Sequence, residues 1–507
     1  MNISEYRTQF ASFNSSLELA RYRHHVGLKS EADNEETNDR YSDLFSLEAI
    51  AELKSHLDQT PANPGTEKTG LQRLQIAAQL RHVERQAHEL TKELVRCEFS
   101  SRMDWNGEKL SLEDVPARLA RESTKTRRRE LAARWADSIS ACNELRVARL
   151  ESFNESARTL GFSTYGDLIA EATKAKLDGV HPAAHSLLEQ TESAYTAALA
   201  KLITGDFFPD LKFRDLDFGD LPYVEAMPWR EKFFSVKNLL RAQAETMNGL
   251  GIRLDKQPNI QLDTEPRPFR KPAAACFPVH PPEDVRLASP EDEAFYLQGL
   301  LQQTGKAQHH AWCSKDLAQR HPEFVYSPDS ATTEASAYLF GYLPLDAEWI
   351  LEFSPGVNAA RAREVAGRIA MYLAMQVRRL CAEALYATLL HDAGHASSKK
   401  LQSAYRDLRE RSTAFRTRAE LYLLDLQDHT KPACHLRALA FSFGLREYLR
   451  VRYGHRWWTS RKAGDELIDL WNTASRYSVE ELARQIGFGD LSFDLLAEVI
   501  TTALAGA

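Results

Sequence analysis

Leu300-Leu-Gln-Gln-Thr-Gly-Lys-Ala-Gln-His-His-Ala-Trp312 is the stretch on which the fold turns. With Leu297 before it, Leu300, Leu301, Ala307 and Trp312 fall at helical spacing, so the segment reads as one amphipathic helix. Ser289-Pro290-Glu291-Asp292 marks its start, with Ser at the cap, Pro at the first position and acids in the first turn. Gly305 sits in mid-helix, where glycine costs roughly 1 kcal/mol against alanine. A helix that keeps it there predicts close approach of another element.

Upstream, Ala273 to Val279 and Val285 to Ala288 flank His280-Pro281-Pro282-Glu283-Asp284. They read as a small hairpin, placed at an edge because Pro278 has no N–H to donate. A helix from Ser235 to about Met247 precedes it, stopped by Asn248-Gly249 and Gly251. Residues 204 to 232, with Pro209, Pro222 and Pro228, read as an irregular connection. Further out, Leu71 to about Leu202 reads as long helices, with Leu71, Leu74, Ala78 and Val83 on one face and Leu131, Trp135, Ile139 and Leu145 on another. Met103 to Gly107 and Gly161 to Gly166 read as turns between them, and Thr60 to Gly70 as loop. Residues 1 to 58 read as two helices separated by the acidic stretch Glu31 to Asn38. After Ser289 the pattern is helical to the end. The division expected is an N-terminal helical lobe, 1–203, and a second lobe, 204–507.

Of 507 residues, 43% are apolar and 27% charged, a globular balance. A net charge of -7 argues against a nucleic-acid partner. The densest basic run, Lys125 to Arg129, has Glu122 and Glu130 beside it and reads as a solvated helix face. No apolar run approaches the ~20 residues of a membrane span, so no membrane partner is expected. Met1 to Arg7 lacks the charged-then-apolar pattern of a secretory signal. The six cysteines are scattered without a Cys-x-x-Cys pair, so a reduced, cytoplasmic protein with free thiols is expected. There is no Gly-x-Ser-x-Gly, phosphate-binding loop or dinucleotide fingerprint.

The Leu300–Trp312 helix resembles the zinc helix of the thimet oligopeptidase and oligoendopeptidase family, whose pattern is His-Glu-x-Gly-His-Ala-x-His; Gly305, Ala307 and His309 keep the frame. Thr332-Thr333-Glu334-Ala335-Ser336-Ala337-Tyr338-Leu339-Phe340 is similar to the family's downstream helix, whose Glu is the third zinc ligand. Tyr453 to Gly464 and Glu480 to Gly489 also resemble uncharacterised bacterial members. The resemblance implies a mainly helical, all-α chain with a small β-hairpin, folded as a two-lobed zincin-like oligopeptidase around a central cleft. Relatives use the edge strand to hold extended peptide. It also implies a damaged site. Gln302 and Lys306 stand at the two histidine positions, Gln303 stands at the general-base position, and only Glu334 of the ligand set remains. A carboxamide cannot take a proton from metal-bound water, and an ammonium group has no lone pair to offer a metal. No catalysis, no zinc and no other cofactor are therefore expected, although active relatives carry zinc. Lys306 is expected to replace the metal's charge and pair with Glu334.

On a later helix, His429-Thr-Lys-Pro-Ala-Cys-His-Leu-Arg437 places Lys431 and His435 where the family has transition-state tyrosines. The implied role is a non-catalytic one, with peptide or a protein partner held in the old cleft by Gln302, Gln303, Lys306, His309, Glu334, Lys431 and His435. His435 and Arg437 are candidates for a peptide carboxylate. One alternative is an active hydrolase with a relocated metal at His391-Asp-Ala-Gly-His395, whose histidines are four apart. A displaced site at His309, His310 and Cys313, or a Cys313 nucleophile beside those histidines, is a further variant. Another alternative is a structural or regulatory protein whose cleft is closed by bulky side chains such as Trp312.

Overall fold

Helices account for most of the chain, as the periodicity predicts, and strands are confined to two small sheets. The computed structural model describes the chain apart from residues 30–33, 62–64, 174–176, 206–207, 209, 227–235, 272, 290–295, 393–395, 425–430 and 506–507. The cap at Ser289-Pro290 and the irregular stretch around Pro209 and Pro228 lie wholly or partly outside the described residues. By packing, the chain forms two compact units, each discontinuous in sequence. One comprises residues 1–79, 231–366 and 437–496; the other comprises 80–230, 367–436 and 497–507. This division by packing is distinct from the compositional break at 203/204.

The first unit contains a three-stranded sheet ordered β3 (Ile260–Asp263), β5 (Asp284–Ala288), β4 (Ala275–His280). β4 and β5 form the expected hairpin, with Pro278 on the edge strand. β3 corrects the two-strand reading: it runs parallel to β5, which is therefore central. Four residues with mixed burial leave too short a pattern to reveal a parallel partner. One face of the sheet is covered by the helix Ile3–His25, whose Tyr22, with Val26 just after it, packs on Phe277, Val279 and Ala288. On the other face, Val285 and Cys276 meet Ala307 and Ala311 of the helix Tyr296–Ala311. Two loop readings are also corrected. Thr66 to Gly70 already belongs to the helix Thr66–Gln86, and part of the acidic stretch is the short helix Glu35–Arg40, with Glu35 and Glu36 favourably placed in its first turn.

The second unit packs its helices around Leu131, Ala136, Phe153, Leu168, Tyr386 and Leu401. The Met103–Gly107 turn is the corner of a hairpin, β1 (Met103–Trp105) with β2 (Glu108–Leu110). Asn106 and Gly107 both have positive φ, 54° and 83°, the conformation that an Asn-Gly corner supplies. The basic run is not wholly solvated. Arg128 is fully buried, and with Arg129 it clasps the buried carboxylate of Asp220. The free-thiol expectation fails for two cysteines. Cys97 and Cys142 form a disulfide, brought together because the helices His88–Ser100 and Asn143–Thr159 pack side by side. Cys276, Cys313, Cys381 and Cys434 are thiols. Among the described residues, no helix is long and apolar enough to cross a membrane.

Candidate functional site

Close contact between two helices of the first unit builds the site. Tyr296–Ala311 lies against Ala331–Gly341, a short helix buried along nearly its whole length. Gly305 makes this possible. A Cβ there would stand 2.2 Å from the carbonyl oxygen of Ser336 and 3.0 Å from the Cα of Ala337. The second crossing point reverses the roles, with the Gln302 side chain lying where a Cβ on Gly341 would be. The inner helix is held from behind. Trp471 donates to the Ser336 hydroxyl at 3.1 Å, and the Thr332 and Ser475 hydroxyls share a 2.6 Å hydrogen bond.

At this crossing Lys306 Nζ donates to Glu334 Oε1 at 2.6 Å, the ion pair that the sequence predicts. The two side chains are only 23% and 13% exposed, so the pair lies mostly out of water. Gln303 is engaged elsewhere. Its Oε1 accepts the backbone N–H of Cys276 on β4 at 3.0 Å. The structure thus brings Gln302, Gln303, Lys306 and Glu334 together on one helix pair.

His309 lies one turn beyond Lys306 and is buried, with the ring of His310 5.3 Å away. Burial pulls His309 down to about 4. Burial, then the neighbouring His309 and Lys306, hold His310 well below the usual imidazole range. Both imidazoles are neutral at pH 7. Cys313 packs with Phe324, Val325 and Ala474. Burial pushes its thiol up to about 12, with Glu283 adding to the rise, so little nucleophilic thiolate forms. Trp312 turns its indole N–H to Gln308 Oε1 of its own helix at 2.8 Å.

Arg437 corrects the carboxylate-binding expectation. It is 1% exposed and fully committed inside the first unit, with two bonds to Glu480 at 2.7 and 2.8 Å and two to Asp329 at 3.2 Å. Its acidic partners were invisible in sequence because they lie 108 and 43 residues away. Lys431 and His435 belong to the second unit, Lys431 exposed and His435 half-buried. Of the relocated pair, His395 lies outside the described residues. His391 is buried with Tyr165 edge-on 6.0 Å away, and its Cβ fills the space beside Gly166. Burial lowers it to about 4. Among the described residues no three His, Cys, Asp or Glu side chains converge as a metal-binding group.

No protein-family model matches the chain, and no curated protein sequence matches it. Solved structures do. PZ peptidase A, solved with an inhibitor, aligns with a TM-score of 0.64 at 12% identity over 100% of this chain and 92% of that one. Trypanosoma cruzi metallocarboxypeptidase 1 aligns at 0.62 and 13% identity over 99% and 98%. The chain shares the mainly helical fold of these two structures. At such identities the likeness establishes fold and not chemistry.

The residues at the crossing do not fit the divalent metal that the helix resemblance implies. The remaining carboxylate is bonded to an ammonium group, and one of the two carboxamides is bonded to a strand. Metal ligands of the N and O type need free lone pairs converging on one point.

Proposed function

We propose that this chain is a non-hydrolytic protein built on a metallopeptidase fold, of the oligopeptidase type that its helix motifs resemble, which acts by binding and not by cleavage. The Lys306–Glu334 pair carries this reading. A tethered ammonium group beside the one retained carboxylate supplies the charge balance that a dication would supply, but offers no site for an activated water. In this reading the protein carries no metal cofactor and takes a peptide or protein as its ligand. Lys431 and His435 remain candidate contacts.

The test is metal analysis of protein purified without added metal, together with mass spectrometry of a mixed peptide library incubated with it in zinc or cobalt. No stoichiometric metal and no cleavage are expected. Gln302→His, Gln303→Glu and Lys306→His introduced together restore metal binding if the helix frame is the one described. Chelator-sensitive cleavage by the natural chain would sink the reading.

A further inference from the structure

Gln303 does something that its alignment with a general base does not foretell, and it bears on what the site can bind. β4 is an edge strand, hydrogen-bonded only to β5 among the described strands. An exposed edge is a template for an extended peptide, which anchors itself through main-chain N–H and C=O groups. Here several of these groups are already occupied by side chains of the same unit. The N–H of Cys276 goes to Gln303 Oε1 at 3.0 Å. Pro278, two residues on, has no N–H to give. The C=O of Val279 accepts the hydroxyl of Tyr326 at 3.1 Å. Just before the strand, the C=O of Ala273 is bonded to His25 Nε2 at 2.8 Å. The rings of Tyr22 and His25, on the helix Ile3–His25, lie 5.6 and 5.3 Å from that of Phe277.

We propose that β4 is sealed against strand addition by the chain's own side chains, with Gln303 as the plug and Tyr326 as the second latch. This deepens the non-hydrolytic reading and rests on it. A carboxamide cannot act as a base, and the oxygen of Gln303 is bonded to the strand. One side chain therefore both lacks the base and occupies the peptide edge. An incoming peptide must first break the Gln303 and Tyr326 bonds. The ligand of the natural chain is accordingly not an extended peptide paired with β4.

The experiment uses the full chain as wild type, Gln303→Ala, Tyr326→Phe and the double variant. Binding of a labelled library of unstructured peptides is read by fluorescence anisotropy, and protection of the Cys276 amide by hydrogen exchange. Wild type is expected to bind weakly or not at all, with the Cys276 amide already protected. Gln303→Ala loses that protection, regains it when peptide is added, and binds roughly tenfold more tightly, the equivalent of about 1.4 kcal/mol. The double variant binds more tightly still, and Tyr326→Phe gives a smaller gain without disturbing the helix pair. Tight binding by wild type, or no gain in any variant, overturns the seal. Mass spectrometry of the same mixtures separates the two claims. Cleavage would sink the non-hydrolytic reading, whereas wild-type binding without cleavage would sink only the seal.

Discussion

A cation carried on a side chain and a cation taken from solution neutralise a carboxylate in different ways. Lys306 brings one charge, fixed in stoichiometry and independent of metal supply, and holds Glu334 at 2.6 Å. Removing it strands a carboxylate that is 13% exposed. Lys306→Met is therefore expected to lower the unfolding free energy by about 1–3 kcal/mol at neutral pH. Adding Glu334→Gln should recover much of the loss, because the stranded charge and not the lost attraction causes it. Urea unfolding of the single and double variants at pH 7.5 reads this out; a double variant no more stable than Lys306→Met would contradict it. The pair was legible in sequence because both residues fall in helices whose frames can be aligned, 28 positions apart. The partner of Gln303 was not legible, since it is a backbone N–H and every residue but proline has one. Arg437 failed for a related reason: a buried guanidinium and a ligand-binding one look alike until their acidic neighbours are placed.

The glycines of one helix show how an element records its neighbours. Gly299 and Gly305 both lie in Tyr296–Ala311 and carry the same propensity cost, yet a Cβ at Gly299 meets nothing within 4 Å, while one at Gly305 meets Ser336 backbone. Gly299→Ala should stabilise the chain by about 0.5–1 kcal/mol, the ordinary helix gain. Gly305→Ala should instead cost about 1–3 kcal/mol, because a backbone carbonyl cannot swing aside as a flexible side chain can. It should also weaken the Lys306–Glu334 contact. Unfolding midpoints that moved in the same direction for both variants would refute the close crossing. The glycine forecast its contact correctly because mid-helix glycine is costly unless something needs the space. The strands were harder. The β4–β5 hairpin announced itself through its proline-rich turn and edge proline, but β3 has only Ile260 to Asp263 and pairs with a strand two elements away. The Asn106-Gly107 corner was seen as a turn, yet three-residue flanks gave no alternation from which to infer β1 and β2.

At the scale of the whole chain, a fold shared at 12–13% identity rests on pattern and not on particular residues. Helical periodicity and small residues at crossings survive extensive substitution, which is why the fold class was readable while the composition of each compact unit was not. Units assembled from three separate segments need contacts across hundreds of residues, and a single sequence carries no sign of them. Cysteine pairing belongs to the same class of information. Cys97 and Cys142 are 45 positions apart with no motif between them, and only the packing of two helices makes them neighbours. The same helices are also joined by the Arg146–Glu98 ion pair and by Arg149 Nε donating to Thr91 Oγ1 at 3.0 Å. The disulfide therefore reinforces an interface that already exists. Closing a loop of that length restricts the unfolded chain enough to contribute about 2–4 kcal/mol. Cys97→Ser/Cys142→Ser, or a thiol reductant, should lower the unfolding free energy from urea titration by that amount while leaving the helical circular dichroism of the native state unchanged. Collapse of the helical signal would mean that the bond holds the interface alone. If native protein prepared in air alkylates at both positions, the bond is not formed, and the reduced chain expected from the scattered cysteines would be restored.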